Sequence, residues 1–195
     1  MKSRIASYLV LTLAAAQVLV ILASWLLTAA MPDAFFHSLL SAEGIRWFFG
    51  QFESHLASPL LVWLLLASVT YGAVRNSGII QFDRTEYRHR IALRFALLEL
   101  LVFVAVILAL TMVPHAILLN VMGGLFPSSF SKSIFPYTCF ALIVMSLSYG
   151  ILSNRLKTPV RCLDALTSGI RSFAPLFLLY IFVVQLYYSL LYILW

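Results

Sequence analysis

From Ile5 to Ala30 the chain carries no charged side chain, and at about 1.5 Å per residue a helix over that stretch exceeds the roughly 30 Å hydrocarbon core of a bilayer. Further long apolar runs follow it. The composition agrees, because 63% of the 195 residues are hydrophobic and only 10% are charged, which lies outside the range of water-soluble domains. In hydrocarbon every backbone N–H and C=O must be satisfied within the protein, so the chain crosses as helices or as a closed barrel. Unbroken apolar runs exclude the alternating pattern of barrel strands. The expected fold is therefore all-α, a polytopic membrane helical bundle forming a single integral membrane domain.

Spans are expected at about 5–30, 59–80, 91–113, 134–152 and 174–195. Lys2 and Arg4 before the first run, with Thr28, Ala29 and Ala30 after it, imitate a signal peptide, but the run outlasts the usual apolar core of about 7 to 15 residues, so it is read as a retained span. Two amphipathic interfacial helices are expected, at about 34–55 and 158–171. In the first, Phe36, Leu39, Leu40 and Trp47 recur near helical spacing beside Glu43, Arg46 and Glu53, and its expected role is to cover the ends of two spans. In the second, Val160, Leu163, Leu166 and Ile170 face Arg161, Asp164 and Arg171, which places it on the membrane surface. The segment from Pro114 to Pro127, with Asn120, Gly123 and Gly124, reads as a loop or re-entrant turn. Ser68 and Gly72 form a small-xxx-small pair that would admit a close neighbouring helix.

The stretch Ser128–Gly150 reads as a boundary and then a span. Serines 128, 129, 131 and 133 offer hydroxyls to the unpaired N–H groups of a helix start, and Pro136 is expected near that start, where its missing N–H does no harm. Gly150 marks the far interface. Of the 13 lysines and arginines, all but Arg46 and Lys132 fall in the N-terminus, the 75–94 region and the 153–171 region. That asymmetry places the N-terminus and both basic loops in the cytoplasm and the C-terminus outside, and it requires an odd number of spans. The net charge of +6 is thus explained by topology and not by nucleic-acid binding.

Few residues are placed for chemistry. Glu99 is the only acidic residue within an expected span, where an ionisable group either faces the bundle, in a proton or substrate role, or reaches basic groups at the surface. Gln17 and Gln185 can hydrogen-bond across helices or touch a substrate. The hydroxyls of Tyr71, Ser146, Ser148 and Tyr149 can bond their own helix. Cys139 and Cys162 would lie at different depths and are expected as free thiols. His37, His55, His89 and His115 are scattered among connecting segments, and no metal-ligand spacing, phosphate loop or catalytic set is present, so neither a metal nor an enzyme is expected.

Four stretches resemble the AbgT family of aminobenzoyl-glutamate transporters, in the family's order. They are Ser129-Phe130, Lys132-Ser133-Ile134, Pro136, Phe140 and Tyr149-Gly150; Ser38 to Phe48, SLLSAEGIRWF; Ser77-Gly78-Ile79; and Ser172-Phe173-Ala174-Pro175 followed by Gln185. The resemblance implies an inner-membrane transporter of a small aromatic amide or antimetabolite, with no cofactor and with proton or sodium coupling open. It also implies an inverted repeat whose substrate site is built by helical hairpins. Ten residues separate Ile80 from Ile91 where the family has its first hairpin region, and the sequence given ends before the second. The expectation is a framework-only relative with Glu99 and Gln185 as candidate substrate-site residues. It would act either as a transporter or as a non-transporting scaffold paired with a second copy or another membrane chain.

Overall fold

The computed structural model describes residues 2–32, 37–81, 86–112 and 128–194. The described residues form helices α1 (Lys2–Ala30), α2 (Ala42–Gly50), α3 (Phe52–Leu56), α4 (Pro59–Ser77), α5 (Tyr87–Met112), α6 (Ser129–Leu152) and α7 (Pro159–Leu194), with a 3-10 turn at Ile79–Gln81. Among them, five are long and apolar enough to cross a membrane: α1, α4 with the turn that follows it, α5, α6 and α7. The all-α bundle read from the apolar runs is the fold observed. The expected loop at 114–127 and His115 lie outside the described residues, as does the start of the first interfacial stretch. Two compact units divide the chain, one of residues 1–62 with 173–195 and one of residues 63–172.

In the unit of residues 63–172, α5 and α6 pack along their length. Tyr149 is fully buried and joins Ala92 and Ala96 in a small core flanked by Ile79, Leu93 and Met145. The Tyr137 hydroxyl donates to the Phe103 carbonyl across the same pair at 2.6 Å. The small pair on α4 finds its neighbour in the first turns of α7. A Cβ on Gly72 would land 2.5 Å from the Ala165 carbonyl oxygen, and one on Gly169 would strike the Ser68 carbonyl. Side-chain-free approach of two backbones is the usual reason for small residues at such a crossing. Asn76 then ties the helices together, its Nδ2 donating to Ser168 Oγ at 2.6 Å and to the Gly72 carbonyl at 2.8 Å. Cys139 and Cys162 are both free thiols.

The same unit revises two expectations. Residues 158–171 are not a separate surface helix, because α7 runs unbroken from Pro159 to Leu194 with Pro175 inside it. A proline ordinarily argues for a helix end, but helices in membranes tolerate it, and the close seat of Ala165 and Gly169 against α4 holds the earlier turns in place. Pro136 also lies inside a helix and not near its start, because α6 begins at Ser129. The reason is the cap itself. Ser128 Oγ accepts from the Ser131 N–H, Ser131 Oγ accepts from the Ser128 N–H, and this reciprocal box starts the helix upstream of the apolar run. Ser128→Ala should therefore cost about 1 kcal/mol of stability, measurable as a lower midpoint of thermal unfolding in detergent micelles.

In the unit of residues 1–62 with 173–195, α1 and the C-terminal part of α7 are joined by polar contacts. Gln17 Nε2 donates to Ser189 Oγ at 2.8 Å. The buried Ser24 hydroxyl accepts from the Leu39 N–H at 3.1 Å, which fixes the chain as it leaves α1. Ser41 caps α2 by accepting from the Gly44 N–H, and Gly44 itself lies so close to the Ser38 and Leu39 backbone that no Cβ would fit. The Tyr180 hydroxyl lies 2.6 Å from Ser58 Oγ and donates to the Leu56 carbonyl at 3.0 Å, tying the end of α3 to α7.

Candidate functional site

At the C-terminal end of α7, five rings from four parts of the chain come together within the unit of residues 1–62 and 173–195. Tyr188 and Tyr192, one helical turn apart, stand beside Trp47 of α2, His55 of α3 and His37 of the segment before α2. His55 stacks on Tyr188 with ring centroids 4.0 Å apart and planes 7° from parallel. Trp47 stacks on Tyr192 at 4.2 Å and tilts toward His55 at 4.9 Å, while His37 lies 5.1 Å from Tyr192. With Gln51 and Leu191 these rings line an open cup of about 410 Å³. That volume is within the range of small-ligand sites, and the lining has their usual character, aromatic walls with a few polar atoms. No lysine, arginine, aspartate or glutamate is in the lining.

Two polar atoms of the cup are buried without a partner among the described residues, His55 Nδ1 and the Tyr192 hydroxyl. Burial pushes the His55 imidazole below its ordinary value of 6.5, because an imidazolium there would lose its water. The folded chain thus favours the neutral ring, and as the pH falls the unfolded chain takes up this proton first. Stability from His55 is complete above about pH 6.5 and declines as the pH drops toward the lower folded value. Thermal unfolding should shift downward between about pH 7.5 and about pH 5.5, and His55→Gln should remove part of that shift.

Gln185 does not line the cup, but it shares a face of α7 with two of the rings that do. Gln185, Tyr188, Ser189 and Tyr192 follow the i, i+3, i+4, i+7 spacing of a single helix face. Gln185 is only 5% exposed, and neither its Nε2 nor its Oε1 has a partner among the described residues. One turn away Ser189 is fully buried and accepts from Gln17, whose own Oε1 is buried and unpaired. Of the two glutamines, then, Gln17 makes the bond across helices and the Gln185 side chain makes none among the described residues.

Glu99 belongs to the unit of residues 63–172. It lies on the α5 face that carries Ala92, Ala96 and Phe103, the face turned to α6. His89 pairs with Tyr149 and Phe103 with Tyr137, so Glu99 falls opposite residues 139–143 of α6. Its Oε2 is buried and has no partner among the described residues. Closer to the start of α5, His89 Nδ1 lies 3.0 Å from the Tyr149 hydroxyl and His89 Nε2 lies 2.8 Å from Glu86. With the proton on Nε2, the ring donates to Glu86 and accepts from Tyr149. Tyr149 thereby bonds a neighbouring helix instead of its own, while the Tyr71 hydroxyl accepts from Arg75 on its own helix.

The cup was not visible in the sequence, where His37 and His55 read as scattered interfacial residues. The one signal that could have suggested it is the spacing of aromatic residues at 188 and 192 beside Gln185. Among the described residues no group of three or more His, Cys, Asp or Glu gathers as a metal site would require.

Five membrane-length apolar helices define a polytopic integral membrane protein of the helical-bundle class. Residues 80–191 match the model of the AbgT transporter family, more than half of the chain, and the protein belongs to that family of membrane transporters. The matched region contains the resembling stretches at Ser128–Gly150 and Ser172–Gln185, and leaves those at 38–48 and 77–79 outside it. No curated protein and no solved structure matches the chain.

Proposed function

We propose that this AbgT-family protein binds and moves a small aromatic amide or antimetabolite, and that the aromatic cup is where the aryl group is held. The observation that carries this reading is an open volume of about 410 Å³ walled by two stacked ring pairs, His55 on Tyr188 and Trp47 on Tyr192. Aromatic contacts gain about 0.5–1.5 kcal/mol per pair beyond their buried area, so a flat aryl guest against the ring edges and faces that the two pairs leave open is the natural occupant. The uncharged lining favours the aryl amide portion of an aminobenzoyl-glutamate or sulfonamide compound as the group held there, with any carboxylates directed away from the cup. The lysine and arginine asymmetry supports an inner-membrane topology with the N-terminus cytoplasmic, in which the cup, at the far end of α7, opens on the outer side.

Glu99 is proposed as the coupling residue, since an unpaired carboxylate oxygen buried between two membrane helices is costly unless it takes up a proton or a cation. The test is uptake of labelled aminobenzoyl-glutamate and a labelled sulfonamide into proteoliposomes holding the purified chain, with and without a proton or sodium gradient. Gradient-driven uptake is expected, reduced about tenfold or more in Glu99→Gln while the variant remains folded. No uptake of either compound by folded wild-type protein would overturn transport by this chain alone and leave a membrane subunit that pairs with a second copy or another chain.

A further inference from the structure

We infer that the hollow between the end of α6 and the start of α7 is a binding site for an anionic phospholipid, with an acyl chain along its apolar wall and the headgroup phosphate held by Lys157 and Thr158. The hollow lies wholly within the unit of residues 63–172 and does not depend on the reading of the aromatic cup.

A fixed turn builds it. α6 ends at Leu152 and α7 begins at Pro159. Between them Asn154 takes the left-handed backbone conformation, with φ 64°, and the Arg155 and Leu156 N–H groups both return to the Gly150 carbonyl, at 3.0 and 2.9 Å. Leu156 is thereby buried against Gly150, where an added Cβ would lie 2.6 Å from its Cδ1. Arg155 reaches Gln81 instead, its Nη1 donating to Oε1 at 3.3 Å, and does not line the hollow. What remains is a space of about 510 Å³. Its apolar wall is Ile151, Leu156, Leu163 and Leu166, and apart from the Cys162 thiol its polar side chains are Lys157 and Thr158.

The occupant follows from size, exposure and charge. Ile151 and Leu163 are 55% and 61% exposed and lie on membrane-length helices, so the apolar wall is open to lipid. A helix about 10–12 Å across is too wide to enter a space of this size, whereas a flexible acyl chain is not. An apolar wall alone would accept any lipid, and the cations are what select. Between Ile151 and Leu166 the chain carries Arg155, Lys157 and Arg161 against Asp164 alone. Lys157 is exposed, lines the hollow and makes no ion pair among the described residues. Thr158 Oγ1 accepts from the Arg161 N–H at 3.4 Å, which leaves its O–H to donate. An ammonium and a hydroxyl donor side by side match the acceptor oxygens of a phosphodiester. Basic pockets between membrane helices on the cytoplasmic side bind acidic headgroups, and the lysine and arginine asymmetry supports that side for this turn.

The experiment is native mass spectrometry of the full chain in detergent, titrated with dioleoyl phosphatidylglycerol and with dioleoyl phosphatidylcholine. Wild-type protein should bind its first phosphatidylglycerol about fivefold more tightly than phosphatidylcholine. Lys157→Gln should remove most of that preference and change phosphatidylcholine binding by about twofold or less. Lys132→Gln removes the same charge from an exposed position near the other end of α6 and should leave the preference intact. Cys162→Trp fills the hollow without changing charge and should weaken both lipids by about fivefold or more. Equal binding of the two lipids by the wild type overturns the site, and that comparison requires no variant to fold. Equal loss of preference in Lys157→Gln and Lys132→Gln also overturns it, since the selectivity would then come from diffuse surface charge. So does a Cys162→Trp variant that binds both lipids as the wild type does. If the same spectra show a wild-type dimer that Cys162→Trp converts to monomer with lipid binding unchanged, the hollow belongs to a second copy of the chain and the lipid assignment is wrong.

Discussion

Gly169→Ala is expected to destabilise the protein by about 2–3 kcal/mol, although the same change on an open helix surface would be favourable by up to about 1 kcal/mol. The sign reverses because of what the added methyl meets. It would strike the Ser68 carbonyl and crowd the Gly72 N–H, both backbone atoms of α4 that no rotamer change can move aside. Relief requires the two helices to separate, and with that separation the 2.6 Å bond from Asn76 to Ser168 is lost as well. Gly50, where an added Cβ meets nothing within 4 Å, is the matched control and should tolerate alanine without loss. Thermal unfolding of both variants in the same detergent separates the two cases. A Gly169→Ala variant as stable as Gly50→Ala would mean that the α4 crossing is not close-packed in the folded protein.

Trp47→Ala should weaken binding of an aromatic ligand by at least about tenfold, the equivalent of roughly 1.4 kcal/mol, while leaving the helix content unchanged. Trp47 is the wall that stacks on Tyr192 and leans toward His55, so its removal opens one side of the cup and frees Tyr192 to reorient. Trp47→Phe keeps a ring in the same place and should restore most of the affinity. Ligand titration of the three proteins provides the readout. Equal affinity in all three would exclude the cup as the binding surface.

The framework was legible in the sequence because membrane crossing depends on local quantities. The charge-free run at Ile5–Ala30 and the Ser128–Ser131 box act through neighbours within a turn or two, and the small pair Ser68 and Gly72 admits a close helix whichever one it is, as the seat of Ala165 and Gly169 shows. Pro136 is harder to place from sequence: its missing N–H suits a helix start, but the Ser128 box begins the helix upstream of it. The cup was illegible for another reason. Its rings come from positions 37, 47, 55, 188 and 192, and only folding brings the last two beside the first three. Gln185 was nominated for its polarity within a span. What distinguishes it, the lack of any partner for either end of its amide, is a property of packing that no spacing encodes.

The measurement that bears most directly on the aromatic cup as the ligand site is photolabelling of the full chain in liposomes with 4-azidobenzamide, followed by mapping of the adducts by mass spectrometry. The cup predicts adducts within residues 37–58 and 185–194 that are suppressed by excess 4-aminobenzamide and reduced in Trp47→Ala. Competable adducts confined to residues 63–172 would contradict it, and would place ligand recognition in the unit that holds Glu99.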